Sequence, residues 1–348
     1  MNLQQLGFQP FFQQQVTADD ALVGRVLLEH KHSYRVMTEQ GELLATVSGN
    51  FAYNALRREQ YPAVGDFVVL ERMDGEERAV IHQLLKRKSK FTRKAAGLEI
   101  EEQIVAANVD IIFLVMSMND DFNVRRLERY LVAAWDSGAM PVVVLTKQDL
   151  TDNPAAYIAE AEAVAIGADI VAVSAFTGEG IERLRAYVKQ GVTAALLGSS
   201  GAGKSTLTNA LLQTTHMKVA AIRKDDAKGR HTTTHRELVY VPTGGCLIDT
   251  PGMRELQLWQ QGDSLQTSFA DIHALSEQCR FRNCTHTNEP HCAVQQAIAT
   301  GELDVARMRS YEKLQRELAY IERKQSQDAQ LAEKRRWKQV SKSLKKKK

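Results

Sequence analysis

The chain has 348 residues, of which 44% are hydrophobic and 25% are charged, and its formal net charge is +3. This length gives room for two or three domains, and the composition is that of a globular protein rather than a disordered or fibrous one. The sequence has no apolar run approaching the ~18 residues of a membrane-spanning helix. Its first residues also lack the basic and apolar regions of a secretion signal, so we expect a cytoplasmic location.

The N-terminal quarter has the pattern of a small β-barrel. Residues 1–17 are rich in glutamine and weakly patterned, and we interpret them as an extended or mobile arm. Short apolar segments separated by turn residues follow at 21–28, 33–37, 42–47, 66–71 and 79–84. This strand count is typical of an OB-fold, which often binds nucleic acid, although a protein-docking barrel is an alternative. The basic segment 86–90, followed by Phe91, Arg93 and Lys94, favours RNA, with a solvated linker as its alternative.

Residues 95–258 change to apolar runs without alternation, which indicates strands buried on both faces of a largely parallel sheet. These runs lie at 109–116, 141–145, 169–173, 194–197 and 246–249. Helical patterns such as 124–135 and 155–166 lie between them. The sequence therefore predicts an α/β domain in this region.

A phosphate-binding motif, G-x-x-x-x-G-K-S, lies between a predicted strand and a predicted helix. It comprises Gly198, Ser199, Ser200, Gly201, Ala202, Gly203, Lys204, Ser205 and Thr206, all of which we expect to contact the nucleotide. The glycines can take backbone angles that turn successive N–H groups toward phosphate oxygens. We expect Lys204 to reach the β- and γ-phosphates and Ser205 to bind Mg²⁺. A glycine-rich turn without a ligand is the alternative.

A second motif indicates which base is bound. It comprises Thr146, Lys147, Gln148 and Asp149, directly after the predicted strand 141–145. The Asp149 carboxylate can accept hydrogen bonds from N1–H and the N2 amino group of guanine, a pair of donors that adenine lacks. The Lys147 stem can lie against the base, while Ser174 and Ala175, after the next strand, can offer N–H groups to guanine O6. Beside a phosphate-binding loop, these motifs favour guanine.

The metal-binding and switch residues follow the loop along the chain. Asp249 begins Asp-Thr-Pro-Gly, and we expect it to hold Mg²⁺ through water while the Gly252 N–H meets the γ-phosphate. A simple turn is the alternative. The segment 229–234 contains three threonines that could close over Mg²⁺ and the γ-phosphate. Thr234 is the predicted magnesium ligand, and the choice among Thr232, Thr233 and Thr234 stays open.

The residue after Gly252 bears on catalysis. Met253 occupies the position where Ras-type GTPases carry a water-orienting glutamine, and methionine can neither orient nor deprotonate water. We therefore expect slow intrinsic hydrolysis. His231 is the predicted water-positioning residue and His235 the second candidate, although both could merely pack the loop. Lys204 and Thr234 complete the predicted catalytic set, together with His231.

A metal-ligand cluster lies near the C-terminus. Cys279, Cys284, His286 and Cys292 supply three thiolates and one imidazole, a set typical of structural Zn²⁺ that leaves no open position. The spacing is unusual for a zinc finger, so chance cysteines with a packed histidine are the alternative. His291 is a possible competing ligand. Cys246 lies in a predicted strand and is interpreted as a buried apolar residue.

The C-terminal segment is predicted to be helical and then basic. A long helix is expected from Leu303 to about Lys338, and residues 334–348 hold nine lysines and arginines without an acidic residue. Together with Arg280 and Arg282, this charge favours contact with a phosphate backbone. A solvated tail is the alternative.

The order of the motifs is informative, because the base-reading motifs precede the phosphate-binding ones, the reverse of a usual GTPase. The set and its order resemble the circularly permuted GTPases, and the zinc cluster narrows the resemblance to the RsgA family, also called YjeQ. The resemblance covers the whole chain. It implies an OB-fold RNA-binding domain with its arm at 1–94, a permuted GTPase domain at 95–258 and a mainly α-helical zinc domain with a basic tail at 268–348.

The resemblance also implies a function. We expect a GTPase of late 30S ribosomal subunit maturation that uses Mg²⁺, carries one structural Zn²⁺ and is stimulated by the small subunit. Its partners would be the 30S subunit and its 16S rRNA, and it would be monomeric off the ribosome. An RNA-binding assembly scaffold, in which GTP binding is structural, is the alternative. A P-loop kinase or ATPase is a further alternative, but Asp149 favours guanine over adenine.

Overall fold

A computed structural model describes residues 2–17, 21–30, 33–94, 102–213, 237–249 and 263–324. The chain divides into two compact units, Met1–Gln257 and Leu258–Lys348. Several predicted features lie outside the described residues. These are the segment 229–234 with His231 and Thr234, then His235, Gly252, Met253 and the basic tail 334–348.

Five strands of the first unit close into the barrel that the N-terminal pattern predicts. They are β1 (Leu22–His30), β2 (Ser33–Thr38), β3 (Gly41–Val47), β4 (Phe67–Arg72) and β5 (Arg78–Leu84). The strand order is β1-β2-β3-β5-β4, and β4 pairs back with β1. Alternate side chains such as Val36, Leu43 and Ile81 fill the interior, since strand side chains alternate between faces. This closure is that of an OB-fold.

Shorter elements accompany the barrel. Helix α1 (Pro10–Gln13) precedes β1 in the chain, and helix α2 (Gly49–Asn54) lies between β3 and β4. After the barrel, β6 (Lys90–Lys94) and β7 (Glu102–Ala107) pair as an antiparallel two-stranded sheet. The apolar pattern did not predict this pair, because β6 is short and carries three basic residues.

The remaining strands of this unit form the α/β layer. They are β8 (Ile111–Ser117), β9 (Met140–Thr146), β10 (Asp169–Ala172), β11 (Thr193–Gly198), β12 (Glu237–Tyr240) and β13 (Cys246–Asp249). The order is β10-β9-β8-β11-β13-β12, parallel except for β12. The helices between them are α3 (Val124–Ser137), α4 (Pro154–Glu162), α5 (Ile181–Arg185) and α6 (Lys204–Leu212). Every residue of β8 is buried, as a two-sided layer requires.

The barrel and the α/β layer share one continuous sheet, because β1 also pairs with β12 at Leu28 and Glu237. An ion pair between Arg35 on β2 and Glu237, at 3.2 Å, lies at the same junction. Sequence patterns do not show this pairing, since the two strands are some two hundred residues apart.

The prediction that residues 1–17 are an extended or mobile arm was wrong. Leu6 and Phe12 are fully buried, and the ring centroid of Phe12 lies 4.5 Å from that of Phe67 on the barrel. Because the segment is rich in glutamine, its composition did not indicate that these apolar side chains are buried. The segment is therefore part of the packed unit.

One buried guanidinium joins this segment, the barrel and the α/β layer. Arg25 on β1 donates to the backbone carbonyls of Leu6, Gly65 (3.0 Å) and Asn108 (3.2 Å), and to the Thr193 hydroxyl (2.7 Å). Its side chain is almost wholly buried, and burial lowers the pKa of Arg25 from its ordinary value. Because a guanidinium stays protonated in proteins, each of these acceptors compensates for lost hydration.

The basic segment 86–90 is partly structural rather than available for RNA. The Arg87 guanidinium donates to the carboxylate of Asp66 at 2.8 and 2.6 Å, and Asp66 is fully buried. Burial raises the pKa of Asp66, which the positive charge of Arg87 opposes. Lys88 forms an ion pair with Asp110. Two cations of this segment therefore hold the fold together.

The second unit is helical in its described part. It contains α7 (Ser264–Ser268), α8 (Ala270–Ser276), α9 (Ala293–Thr300) and a helix α10 over 305–324. Arg307 on α10 donates to both carboxylate oxygens of Asp271 at 2.5 and 2.7 Å, and its guanidinium lies 4.6 Å from the ring centroid of Phe269. The predicted long helix therefore begins at 305, and its expected continuation beyond 324 lies outside the described residues.

We expect Arg25→Met to lower the free energy of unfolding by about 2–4 kcal/mol, because several buried acceptors lose their donor at once. Urea unfolding followed by circular dichroism measures this change. Arg35→Met is the matched control: its ion pairs with Glu42 and Glu237 are partly exposed, so their loss together should cost less than about 1 kcal/mol. Equal stability of the two variants would contradict a central role for Arg25.

Candidate functional site

The parallel sheet brings the predicted nucleotide motifs to one edge. Strands β10, β9, β8 and β11 lie side by side, so the loops that leave their carboxyl ends share an edge of the sheet. The loop after β9 carries residues 147–149, the loop after β10 carries 174–175, and the loop after β11 carries 199–203. The fold therefore brings the base-reading and phosphate-binding motifs to one edge, although their order along the chain is the reverse of that in a usual GTPase.

The phosphate-binding loop needs glycine for two different reasons. Gly201 and Gly203 have φ angles of +83° and +92°, which favour glycine. Gly198 does not have a positive φ. A Cβ atom there would instead lie 2.3 Å from the carbonyl oxygen of Val115 on β8. The expectation that Gly198 supplies an unusual backbone angle was therefore wrong, and close strand packing explains this glycine.

The rest of the loop leads into α6. Ala202 is buried, whereas Ser200 and Gly201 are exposed. Lys204 is the first residue of α6, and its ammonium group donates to the carbonyls of Gly198 (2.7 Å) and Ser199 (2.6 Å). Ser205 and Thr206 follow in the first turn, where backbone N–H groups have no intrahelical acceptor and favour an anion.

Thr146 connects the base motif to the phosphate-binding loop. Its buried hydroxyl donates to the carbonyl of Ala202 at 2.6 Å, with the carbonyl of Met116 at 3.2 Å. Thr146 and Ala202 are 56 residues apart in the chain. This hydrogen bond directly links the two predicted halves of the site.

The base motif itself forms a tight turn. Lys147 has a φ of +61°, a left-handed conformation, and starts a single 3-10 turn at Gln148–Leu150. The Gln148 N–H donates to the carbonyl of Val173 at 3.3 Å, which joins the loops after β9 and β10. Asp149 is exposed, so its carboxylate is accessible to a ligand.

The loop after β10 is held by the buried Ser174. Its hydroxyl oxygen accepts from the Thr177 N–H at 3.1 Å, and its carbonyl accepts from the Gly178 N–H at 2.9 Å. The Ser174 N–H donates to the carbonyl of Glu179 at 3.0 Å. The expectation that this N–H faces guanine O6 was therefore wrong, which leaves Ala175 as the predicted donor.

The predicted magnesium residues are described only in part. Ser205 lies in the first turn of α6, after the phosphate-binding loop. Asp249 ends β13, which runs parallel to β11 and so reaches the same edge of the sheet. The side chain of Asp249 lies outside the described residues.

Sequence reasoning missed Asp121. The Ser199 hydroxyl donates to its carboxylate, which also forms an ion pair with Arg126 at 3.0 Å. Asp121 therefore places a negative charge beside the phosphate-binding loop and holds its first serine. The available signal was its position shortly after the buried strand β8, at the edge where such sheets bind ligands.

The four predicted metal ligands come together. Their ligand atoms all lie within 4.8 Å of one another, and His291 is not part of this cluster in the described chain. The Sγ atoms of Cys279 and Cys292 are 3.8 Å apart, and His286 Nδ1 lies 3.6 and 3.5 Å from them. Zn–S bonds of about 2.3 Å and Zn–N bonds of about 2.0 Å, arranged tetrahedrally, give separations of about 3.8 and 3.5 Å. The cluster, completed by Cys284, fits a structural zinc ion.

Hydrogen bonds also order the loop around this cluster. Glu289 accepts from the Thr285 N–H (2.9 Å) and the Thr287 N–H (3.0 Å), and the hydrogen bonds from Thr285 lower its pKa to about 2. Cys292 caps α9, where its sulfur accepts from the Gln295 N–H at 3.4 Å.

Cys246 behaves differently from the other three cysteines. It is buried in β13, and burial raises the pKa of its thiol. The prediction that it is an apolar core residue is confirmed.

Comparison with known proteins identifies the family. The family model described as RsgA GTPase matches residues 84–259, just over half of the chain. A relative from Oceanobacillus iheyensis, named small ribosomal subunit biogenesis GTPase RsgA 1, is 46% identical, with 99% of each chain covered. The chain belongs to the RsgA GTPase family. A model described as ABC transporter also matches, over 181–347, a stretch that includes the phosphate-binding loop common to P-loop NTPases.

Solved structures agree with the RsgA assignment. YjeQ from Thermotoga maritima matches with a TM-score of 0.65 and 30% identity, covering 86% of this chain and 99% of that one. YloQ, described as a circularly permuted GTPase, matches with a TM-score of 0.61 and 23% identity over 87% and 98% of the two chains. The central domain therefore has the permuted GTPase fold that the motif order predicts.

We expect the chain to bind one Zn²⁺ ion, and chelation to loosen the loop between Cys279 and Cys292, because metal binding there stabilises the folded state. Hydrogen exchange of this loop before and after chelation measures the effect. Cys284→Ser should reproduce it, whereas Cys246→Ser, which removes the thiol outside the cluster, should leave zinc content unchanged. Equal zinc content in both variants would contradict the assignment of Cys284 as a ligand.

Proposed function

We propose that this protein hydrolyses GTP to GDP and phosphate and acts in late maturation of the small ribosomal subunit. The observation that carries the proposal is the 2.6 Å hydrogen bond between Thr146 and Ala202, which joins a guanine-type motif to a phosphate-binding loop. Relatives that are named small ribosomal subunit biogenesis GTPases support the cellular role. A scaffold that binds GTP without hydrolysing it fits the named GTPase relatives less well.

The base would be read by the loops after β9 and β10. The Asp149 carboxylate accepts from the two guanine donors, the stem of Lys147 covers the base, and the Ala175 N–H donates to O6. Thr146 and Gln148 hold this loop against the phosphate-binding loop and the loop after β10. Recognition of guanine follows because adenine would leave the carboxylate of Asp149 unpaired.

The phosphates would be held by the loop over 198–206. Backbone N–H groups at the start of α6 bind the anion, and Lys204 exchanges its contacts with two loop carbonyls for contacts with phosphate oxygens. We assign Mg²⁺ to Ser205, Asp249 and Thr234, with Gly252 meeting the γ-phosphate. A bound Mg²⁺ ion neutralises charge that develops on the phosphate oxygens.

The nucleophilic water would be positioned by His231. Met253 cannot perform this task, so hydrolysis depends on a partner that orders the switch segment. We infer that this partner is the 30S subunit with its 16S rRNA, and that the protein is monomeric and cytoplasmic when off the ribosome. Among the described helices, none combines the length and apolar character needed to cross a membrane.

We also propose the division into an RNA-binding domain at 1–94, a GTPase domain at 95–258 and a zinc domain at 268–348. One zinc ion would hold Cys279, Cys284, His286 and Cys292 together in a structural role, since four protein ligands leave no open position. The exposed Arg280 and the cationic tail would contact the phosphate backbone of rRNA.

Asp149→Asn should exchange guanine for xanthine specificity. The asparagine amide can donate to the O2 carbonyl of xanthine but no longer accepts both guanine donors, so GDP affinity should fall by at least about a hundredfold while XDP affinity rises. Calorimetric titration with GDP, XDP and ADP measures this exchange. Asp152→Asn, a neighbouring exposed acid outside the motif, is the control and should retain GDP. Retained GDP preference in Asp149→Asn would exclude this residue as the base reader.

GTP turnover with purified 30S subunits, 50S subunits or no addition tests the function. We expect stimulation by 30S subunits alone, and a His231→Ala variant should keep GDP affinity but lose most of that stimulation. Absence of stimulation by 30S subunits would favour the scaffold role. Full stimulation of His231→Ala would remove the assignment of this histidine and leave the function itself intact.

A further inference from the structure

Ser199, the first serine of the phosphate-binding loop, is held from two directions. Its hydroxyl donates to the carboxylate of Asp121, and its carbonyl accepts from the Lys204 ammonium group at 2.6 Å. Lys204 also donates to the preceding carbonyl, that of Gly198, at 2.7 Å. The next residue, Ser200, is exposed. The start of the loop is therefore anchored to the segment after β8, and the part that follows is open to a ligand.

Asp121 is itself fixed in the loop between β8 and α3. Its carboxylate forms an ion pair with Arg126 at 3.0 Å, and its backbone N–H donates to the side chain of Asn119 at 3.1 Å. Arg126 lies in the first turn of α3, where its own N–H donates to the N-cap side chain of Asn123 at 2.9 Å. The Arg126 guanidinium offsets the charge of Asp121, so this acid can lie beside an anion-binding loop at a small electrostatic cost.

The two contacts of Ser199 respond differently to bound phosphate. In the proposed bound state, Lys204 leaves both loop carbonyls for phosphate oxygens, so the Ser199 carbonyl loses that donor. The hydroxyl contact with Asp121 does not involve Lys204 and can persist. A loop that is held in one conformation before and after binding loses less conformational freedom when the ligand arrives. Hydrogen bonds to ionised groups are also among the stronger ones in proteins.

We propose that Asp121 is a positioning residue of the nucleotide site, which holds Ser199 in place while Lys204 turns to the phosphates. The inference rests on the proposed function and adds a residue from outside the phosphate-binding motif. Because Asp121 acts on the loop that holds the phosphates, it supports binding of nucleotides whatever their base. A carboxylate that merely repelled the phosphates would have the opposite effect, since its removal would strengthen binding.

Calorimetric titration of the full chain with GDP and IDP tests the proposal. Asp121→Ala should weaken binding of both nucleotides by the same factor, about five- to fiftyfold, because the loop loses a partly exposed hydrogen bond to a charged group. Ser199→Ala removes the donor of the same bond and should give a similar loss. The double variant should bind within about threefold of the weaker single variant, since two changes to one contact are not additive.

Two further variants separate the hydrogen bond from the charge. Asp121→Asn keeps an oxygen that can accept from the Ser199 hydroxyl, so it should recover most of the affinity that Asp121→Ala loses. Asp120→Asn, which neutralises the adjacent exposed acid, is the matched control and should leave both affinities unchanged. Ser199→Ala leaves the ion pair of Asp121 with Arg126 in place, so it tests the contact even if Asp121→Ala does not fold.

Unchanged or stronger GDP binding by Ser199→Ala or by folded Asp121→Ala overturns the proposal. Additive losses in the double variant also overturn it, because they assign the two residues separate roles. A loss confined to GDP does the same, because it indicates an effect on base reading instead. If the wild-type chain binds GDP no better than ADP, the proposed guanine specificity fails, and the same variants titrated with ADP still test the role of Asp121.

Discussion

The buried guanidinium of Arg25 is the constraint on which the first unit depends. A charge removed from water needs an acceptor for each donor, and these acceptors come from the N-terminal segment, the barrel and the first residue of the strand that leads to the phosphate-binding loop. The Thr193 hydroxyl is one of them. If the barrel were displaced, the buried charge of Arg25 would lose some of these acceptors, at a high cost in free energy. The position of the barrel is therefore coupled to that of the nucleotide site.

Backbone pairing also explains how the site tolerates a reversed motif order. Strand neighbours in a parallel sheet are set by this pairing, and the loops that leave carboxyl ends meet wherever their strands lie. The hydrogen bond from Thr146 to Ala202 depends on β9 and β11 flanking β8 rather than on which of them comes first. Permutation thus changes the connections of the domain and leaves the geometry of its ligand-binding edge in place.

The polar residues divide into those that hold the structure and those that remain available to a ligand. Arg87 and Lys88 look like an RNA-binding pair in the sequence, yet both bind carboxylates of the fold. Asp149, in contrast, is exposed although neighbouring residues are tightly hydrogen-bonded. Rigid turns that present accessible side chains are the arrangement expected of a pre-organised binding site.

Much of the architecture follows from local patterns. Short apolar segments between turn residues predict the barrel strands, and continuous apolar runs predict β8, β9 and β11. Three cysteines and a histidine close together in the chain predict the metal cluster. These signals work because strand burial and ligand chemistry act over a few residues, within one element or one loop. For the same reason, the guanine and phosphate motifs can be recognised from the amino-acid sequence alone.

What only the tertiary structure decided is which distant groups meet. The burial of Phe12 against Phe67, the use of Arg25 as a junction, and the hold of Asp121 on Ser199 each join segments that are far apart in the chain. Charge and hydrophobicity leave such pairings open, because a cation in the sequence has many possible partners. In the folded protein a buried charged side chain is paired with one partner, because an unpaired charge away from water is costly. Residues paired in this way are structural, and the exposed ones remain available to bind a ligand.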